Sequence, residues 1–214
     1  MSRRSSEVEG QAGTPLRLEL PALPAPHVAT MQHSAWVERW IGQPRGNGRL
    51  LDFASGSGRH AHLAVARGFR VLAVDRDEHS LGMVQGREMQ ARAEDLESGR
   101  WSFAAERFEV VVMTNFLFRP RLDLLARLLE PGGRLIVETF AEGNEHYGRP
   151  TNPAFLLQVD ELFMTARRSG LLVIAFEQGF TPSPKPAQIQ RVAAVKPPHD
   201  PRSMPLAGDW HALS

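Results

Sequence analysis

Apolar residues form short runs that alternate with amphipathic stretches through the middle of the chain. Continuous apolar runs at 49–53, 69–74 and 108–113 predict buried strands, because strands of a parallel sheet are covered on both faces. The stretch 59–67, which Gly68 follows, predicts a helix between the first two strands. This order of elements indicates a layered α/β domain.

Two further helices are expected around the third strand. One is predicted over 80–93, although two glycines interrupt it and glycine disfavours helix. Leucines at helical spacing over 122–129 predict the other helix. A Pro-Gly-Gly sequence at 131–133 is expected to end it before a strand at 134–138. The alternation predicts a mostly parallel sheet with helices on both faces.

The last part of the chain breaks this rhythm. Apolar runs at 171–176 and 188–195 predict two strands, and the segment 177–187 between them contains three prolines and no helical periodicity. Strands joined in this way pair as an antiparallel hairpin at the edge of a sheet. The predicted fold class is therefore α/β, with a doubly wound, mostly parallel sheet and a terminal antiparallel hairpin.

The two ends of the chain differ from this middle part in composition. Residues 1–26 and 197–214 are rich in proline, which resists both helices and ladder strands. We predict an extended or disordered arm over 1–26, one domain over 27–196 and a proline-rich tail over 197–214. No internal repeat divides the middle part.

Composition excludes several classes of chemistry. The chain has 214 residues, 42% of them hydrophobic, and it has no cysteine, so disulfides, cysteine-ligated metals and thiol nucleophiles are absent. Lys and Arg number 25 against 24 Asp and Glu, which gives no strong field for nucleic acid or an anionic membrane. The apolar runs are too short to cross a bilayer, and the first residues lack the apolar core of a secretory signal. We expect a cytoplasmic protein.

One loop and one carboxylate indicate a nucleotide-like ligand. Small residues at 54–58 follow the first strand and precede a helix, which lets the backbone approach a ligand closely. Asp75 ends the second strand, 75 − 58 = 17 residues beyond Gly58. A carboxylate there can accept hydrogen bonds from both ribose hydroxyls. These features predict a cofactor that carries adenosine.

Two cofactors fit these features. The sequence Gly56-x-Gly58-x-x-Ala61 matches the dinucleotide fingerprint, which would suit an NAD-dependent oxidoreductase. The sequence shows no Tyr-x-x-x-Lys or comparable group for hydride transfer. This alternative therefore depends on the glycine pattern alone.

Four segments make residues 33–196 resemble class I S-adenosylmethionine-dependent methyltransferases. They are the loop 52–58, with Ala54 in place of the first glycine; the strand end 73–77; the acidic segment 93–97; and the strands 108–115 and 129–137 around Pro-Gly-Gly. The resemblance implies a seven-stranded, Rossmann-like sheet and S-adenosylmethionine as cofactor. Within the family, the chain is similar to the small, single-domain tellurite and thiopurine methyltransferase group.

The spacing and the resemblance together assign the cofactor-binding residues. The family uses the acid after the second strand for the ribose, and an Asp and the following backbone N–H for the adenine, which implies Asp75, Asp95 and Leu96. Arg59 is placed to meet the methionine carboxylate. The full predicted set is Asp52, Ala54, Gly56, Gly58, Arg59, Asp75, Arg76, Asp95, Leu96 and Thr114.

Methyl transfer from a sulfonium is an in-line displacement, so alignment and exclusion of water matter more than a catalytic base. If a residue contacts the acceptor, the candidates are His146 and Tyr147 in the long polar segment 140–153, and Asn115 after the fourth strand. The prolines of the amino-methylating Asn-Pro-Pro motif are absent there, so Phe116 is interpreted as pocket wall or core. We expect a small-molecule acceptor. A non-catalytic S-adenosylmethionine-binding module stays an alternative.

No metal site is expected. His60 and His62 are two residues apart on a predicted helix, so their side chains face different directions and cannot share an ion. We interpret both as structural. The sequence does not indicate an oligomeric state.

Overall fold

The structure, a computed structural model, describes residues 32–198. Its strands are β1 Arg49–Phe53, β2 Arg70–Asp75, β3 Met89–Ala93, β4 Phe108–Thr114, β5 Leu129–Phe140, β6 Leu172–Thr181 and β7 Ala187–Val195. They form one seven-stranded sheet in the order β3-β2-β1-β4-β5-β7-β6. Strands β1 to β5 pair in parallel, and β7 runs antiparallel to both β5 and β6. The predicted fold class is confirmed, including the hairpin at one edge.

Helices cover both faces of the sheet. They are α1 Ala35–Ile41, α2 Arg59–Ala66, α3 Glu78–Leu81, α4 Arg119–Leu125 and α5 Glu161–Arg168. The buried side chains of α1, α2 and α3 join one hydrophobic cluster, and those of α4 and α5 join a second cluster on the opposite face. The sheet is therefore doubly wound, with a core on each side.

The prediction of a helix over 80–93 is wrong. Helix α3 ends at Leu81, and Met89–Ala93 is the edge strand β3, which pairs with β2 from Val71 to Asp75. Glycines at 82 and 86 prevent the helix from continuing. The strand itself is mostly exposed on both faces, so it lacks the apolar run that reveals a buried strand.

Two other boundaries differ from the prediction. Helix α4 ends at Leu125, and a short 3-10 turn leads into β5 at Leu129, so the Pro-Gly-Gly sequence lies inside the strand. A Cβ on Gly133 would lie 2.9 Å from the Glu130 carbonyl oxygen, which explains the glycine. Strand β6 extends to Thr181 and β7 begins at Ala187, because the two strands pair through residues that the sequence pattern assigns to the connection between them. Helix α5 had not been predicted.

The predicted arm 1–26 lies outside the described residues, as does the tail 197–214 apart from its first two residues. Among residues 32–198, no helix has the length and apolar character needed to span a membrane. Placement in the cytoplasm stays a prediction.

A buried carboxylate holds the loop before β1. The Glu109 side chain on β4 accepts hydrogen bonds from the backbone N–H groups of Arg45 (2.8 Å), Gly46 (2.8 Å) and Gly48 (3.3 Å). The Arg134 guanidinium on β5 lies 3.7 Å from the same carboxylate. One side chain therefore joins this loop to two neighbouring strands.

We expect Glu109→Gln to lower the free energy of unfolding by about 3–5 kcal/mol, because it removes the charge of a buried pair and leaves a backbone donor unsatisfied. Glu88→Gln is the control, because Glu88 is exposed and lies 3.9 Å from Arg87; its effect should stay within about 0.5 kcal/mol. Urea denaturation measures both values. Equal losses in the two variants would contradict this role for Glu109.

Candidate functional site

A shallow cleft lies at the carboxyl ends of the central strands. Five of the ten predicted cofactor residues line it. Its lining residues are Ala54, Asp75, Arg76, Asp95, Leu96, Glu97 and Phe116. We call it the β2 cleft, because Asp75 at the end of β2 lies among them. Phe116, interpreted as pocket wall or core, is part of its wall. Glu97 is outside the predicted set, although it belongs to the acidic segment 93–97 that carries the family resemblance.

The loop after β1 has an unusual backbone. Ala54, Gly56 and Gly58 all have positive φ angles, of 58°, 52° and 78°. The alanine at the first position therefore affects more than size, because a left-handed conformation costs a non-glycine residue about 1–2 kcal/mol. A Cβ on Gly58 would lie 2.6 Å from Val84 Cγ2, whereas a Cβ on Gly56 would meet no atom within 4 Å. Gly58 serves packing, and Gly56 faces open space that a ligand can approach.

Asp75 is held in place by two backbone donors. Its Oδ2 accepts a hydrogen bond from Gly56 N–H at 2.8 Å, and its Oδ1 accepts one from Asp77 N–H at 3.0 Å. Each carboxylate oxygen can accept a further bond. The side chain is therefore oriented before any ligand arrives, and it keeps acceptor capacity for hydroxyl groups.

Asp95 and Leu96 occupy a turn after β3. The Asp95 carboxylate accepts hydrogen bonds from Glu97 N–H (2.9 Å) and from Ser98 N–H and Oγ (3.3 and 2.7 Å). The hydrogen bond from the Ser98 hydroxyl is the main cause that lowers the pKa of Asp95. The Leu96 side chain is buried, and its N–H donates no hydrogen bond to the described part of the chain. Leu96 thus has a backbone N–H available to a ligand, whereas the Asp95 carboxylate already accepts hydrogen bonds within its own turn.

The other five predicted cofactor residues do not line the cleft: Asp52, Gly56, Gly58, Arg59 and Thr114. Asp52 is only 1% exposed and accepts a hydrogen bond from Ala61 N–H. Its Oδ2 has no hydrogen-bond partner within residues 32–198, and burial raises the pKa of Asp52 to about 7. Arg59 donates to Thr114 Oγ1 at 3.4 Å and to the Gln32 carbonyl at 3.2 Å.

The two histidines of α2 have separate surroundings, as expected. Buried His60 accepts a hydrogen bond from Ser34 N–H through Nε2 at 3.1 Å, and its Nδ1 lies 3.4 Å from Thr114 Oγ1. Burial lowers the pKa of His60 to about 3, so the ring is neutral and ties α1 to β4. His62 contacts the Met83 carbonyl instead. No group of three metal-ligating side chains occurs in the described part of the chain.

None of the three candidate catalytic residues lines the β2 cleft, although Asn115 directly precedes its wall residue Phe116. Asn115 is exposed at the end of β4 with φ 54°, and its N–H donates to the Glu138 carbonyl. His146 is exposed beside Glu145 at 3.9 Å. Tyr147 stacks on Phe180 of β6, with ring centroids 5.0 Å apart. Asn115 follows β4, next to β1, whereas the other two lie toward the hairpin.

A second recess, of about 280 Å³, lies at the same end of the sheet beside β5 and the hairpin. It is lined by Ala141, Glu142, Leu157, Val159, Gln178, Gly179, Gln188 and Gln190. We call it the hairpin cavity. Gln190 is fully buried; it accepts from Leu162 N–H at 3.0 Å and donates to the Gln158 carbonyl at 2.5 Å. Ala141 and Glu142 belong to the polar segment 140–153 singled out in the sequence, whereas the residues of the hairpin have no local pattern that indicates them, because strand pairing brings them together.

Comparison with known proteins agrees with the geometry. The seven-stranded, mostly parallel sheet with its antiparallel end hairpin is that of the Rossmann-like methyltransferase fold. A family profile described as a methyltransferase domain matches residues 29–180. The chain belongs to this family, and it is an S-adenosylmethionine-dependent methyltransferase. This match decides against the oxidoreductase alternative.

Solved structures share the fold at low sequence identity. TehB from Haemophilus influenzae is 16% identical with a TM-score of 0.57, and the match covers 70% of this chain but only 57% of TehB. A TehB-like S-adenosylmethionine-dependent methyltransferase from Corynebacterium glutamicum is 20% identical with a TM-score of 0.56, covering 79% and 92%. The [4+2]-cyclase SpnF is 14% identical with a TM-score of 0.59, covering 75% and 78%. No curated protein sequence matches the chain.

The buried Asp52 predicts a pH effect on stability. Its pKa is raised from 3.8 to about 7, so the folded protein keeps a proton that the unfolded chain releases. The stability from this group is fully present below about pH 4 and is lost as the pH rises through 7. Asparagine mimics the protonated form of Asp52 and does not ionise, so the Asp52→Asn variant does not lose this stability as the pH rises.

We therefore expect the free energy of unfolding of Asp52→Asn, relative to the wild type, to increase between pH 4 and 7 by up to about 1.4 kcal/mol per pH unit. His60, whose lowered pKa gives the opposite slope, is present in both proteins and cancels. Urea denaturation at successive pH values measures the difference. A difference that is constant with pH would contradict an uncharged, buried Asp52.

Proposed function

We propose that this protein transfers the methyl group of S-adenosylmethionine to a small polar molecule. The observation that supports this best is the presence of two recesses at one end of the sheet. The β2 cleft has groups suited to an adenosine, and the hairpin cavity is a separate recess of about 280 Å³ whose lining includes three glutamines and one glutamate among apolar residues. The carboxyl end of β4, at Thr114, lies between the strands that lead to the two recesses, and Phe116 two residues further on is a wall of the β2 cleft.

The residues of the β2 cleft fit the cofactor. Asp75 is oriented to accept bonds from ribose hydroxyls, the free Leu96 N–H suits an acceptor nitrogen of adenine, and Phe116 supplies an apolar wall. The open space at Gly56 lets the ligand approach the loop. When bound, S-adenosylmethionine supplies an electrophilic methyl group on a sulfonium, which needs no metal for its transfer.

The order of the strands indicates how donor and acceptor would meet. A ligand that begins at β2 and passes over β1 ends near β4, because these strands are neighbours. Arg59, which contacts Thr114 at the end of β4, is then suited to the methionine carboxylate. Exposed Asn115 follows directly and would face the acceptor, which makes it a stronger candidate than His146 or Tyr147.

The chemistry of the hairpin cavity favours a small acceptor that donates hydrogen bonds. Glu142 is its only charged lining residue, and Gln178 and Gln188 add amide groups. The Gln178 side-chain oxygen already accepts from Asp160 N–H at 2.9 Å, which leaves its amino group for a ligand. A molecule with hydroxyl or amino groups suits this lining, and the net charge of +1 gives no strong field for a nucleic acid.

Titration of the purified protein with three ligands tests the donor. We expect S-adenosylhomocysteine and S-adenosylmethionine to bind with micromolar affinity and NADH not to bind. Asp75→Ala should weaken S-adenosylhomocysteine at least tenfold, which corresponds to about 1.4 kcal/mol, because the ribose loses its carboxylate. Asp77→Ala is the control, because Asp77 caps α3 and does not line the cleft. Binding of NADH alone, or equal losses in both variants, would contradict the proposal.

Turnover with a panel of small hydroxyl, amino and thiol compounds tests the acceptor. For a compound that is methylated, Glu142→Gln should lower kcat/KM about tenfold or more, with the affinity for S-adenosylhomocysteine unchanged within twofold. Glu145→Gln is the control, because Glu145 is in the same segment but binds the Gly143 N–H and does not line the cavity. Methylation of macromolecules alone, or donor binding without any turnover, would contradict a small acceptor.

A further inference from the structure

Helix α4 contains an arginine that is buried without a carboxylate partner. Arg121 is 9% exposed, and no Asp or Glu oxygen in the described part of the chain lies within 4 Å of it. Its guanidinium lies near the rings of Trp101 and Phe118, 5.6 and 5.9 Å from their centroids. Burial of a cation in this way is costly unless other groups compensate for its charge.

The compensating groups belong to the turn that lines the β2 cleft. Arg121 Nη2 donates hydrogen bonds to the carbonyl oxygens of Ser98 (2.7 Å) and Gly99 (2.8 Å). Both carbonyls belong to the segment 95–99, whose first three residues line the cleft. Bonds from a charged donor are about twice as strong as neutral ones. Arg121 thus joins α4 to this segment over a sequence distance of more than 20 residues.

Other contacts hold the segment 95–99 less firmly. Asp95 organises the turn internally but does not tie it to another element. The pair between Arg76 and Glu97 spans 3.9 Å and is exposed, so it contributes little. The Leu96 side chain packs in the core. This packing fixes how deeply the residue is buried but not the direction in which its N–H points. The two bonds from Arg121 are the directional link to the rest of the protein.

The stacking partner of Arg121 also leads to the cleft. The Trp101 ring packs against Phe53 at 6.2 Å, and Phe53 packs against Phe116 at 5.8 Å. Phe116 is a wall of the β2 cleft. A change at Arg121 is therefore expected to reach the cleft by two routes, through the turn and through this aromatic cluster.

We propose that Arg121 is a positioning residue for the donor: it fixes the segment 95–99 so that the Leu96 N–H faces the adenine. This inference rests on the proposed function, because it requires adenosine to bind in the β2 cleft. It concerns the adenosine end of the ligand and not the methionine end. Arg121 itself has no contact with the cleft.

The test compares Arg121→Met with Arg119→Met. Arg119 is on the same helix, and it binds Glu161 and the carbonyl oxygens of Ala154 and Leu156, none of which lines the β2 cleft. Both variants should lose thermal stability. Only Arg121→Met should raise the Kd of adenosine and of S-adenosylhomocysteine, each at least tenfold and by the same factor. Arg119→Met should leave both within twofold.

Two further measurements separate positioning from general stability. Arg121→Lys should recover part of the adenosine affinity, because an ammonium can donate to both carbonyls, and it serves as the test if Arg121→Met does not fold. Hydrogen exchange of the amides at 95–101 should be faster in the Arg121 variants and unchanged in Arg119→Met. Equal affinity losses at both arginines, or no loss at Arg121, would overturn the inference. Failure of the wild type to bind adenosine and S-adenosylhomocysteine would instead overturn the proposed function.

Discussion

The position of β1 between β2 and β4 is the constraint on which the site depends. From β1 the chain crosses by α2 to β2 on one side, and the later strands β4 and β5 are added on the other side. Loops that leave the carboxyl ends of β1 and β4 therefore diverge and open a crevice, as in other open α/β sheets. The hydrogen bond from Gly56 N–H to Asp75 Oδ2 joins the loops of β1 and β2 at this point. The position of the cleft is thus a consequence of strand order, and the side chains that line it determine which ligand it can bind.

Two buried side chains in this region resist ionisation. Asp52 lies within β1, one residue before its carboxyl end, and His60 is the second residue of α2; burial opposes the charged form of both. The nearby cation, Arg59, contacts the hydroxyl of Thr114. An interior with few fixed charges strengthens the interaction of the remaining ones, because the local dielectric is low. A ligand that carries its own positive charge would then depend on few, well-placed partners.

The sequence predicted the fold where burial controls the pattern. Strands β1, β2 and β4 are covered on both faces, so each is a continuous apolar run, and the acid at Asp75 follows from where β2 ends. Strand β3 was mistaken for helix because it is exposed and is formed by pairing with β2. Arg121 and Gln190 could not be found, since each acts on backbone groups more than 20 residues away. Such contacts depend on tertiary packing and leave no local pattern.

The alanine at position 54 departs from the glycine pattern of its loop. Its left-handed backbone is imposed by neighbours, since Ser55 N–H donates to the Val74 carbonyl and Gly58 N–H donates to the Ser55 carbonyl. A residue with a side chain is tolerated there because the adjoining strand supplies the turn geometry. The glycine pattern of the loop is therefore incomplete in this chain, while the turn that the pattern serves is kept.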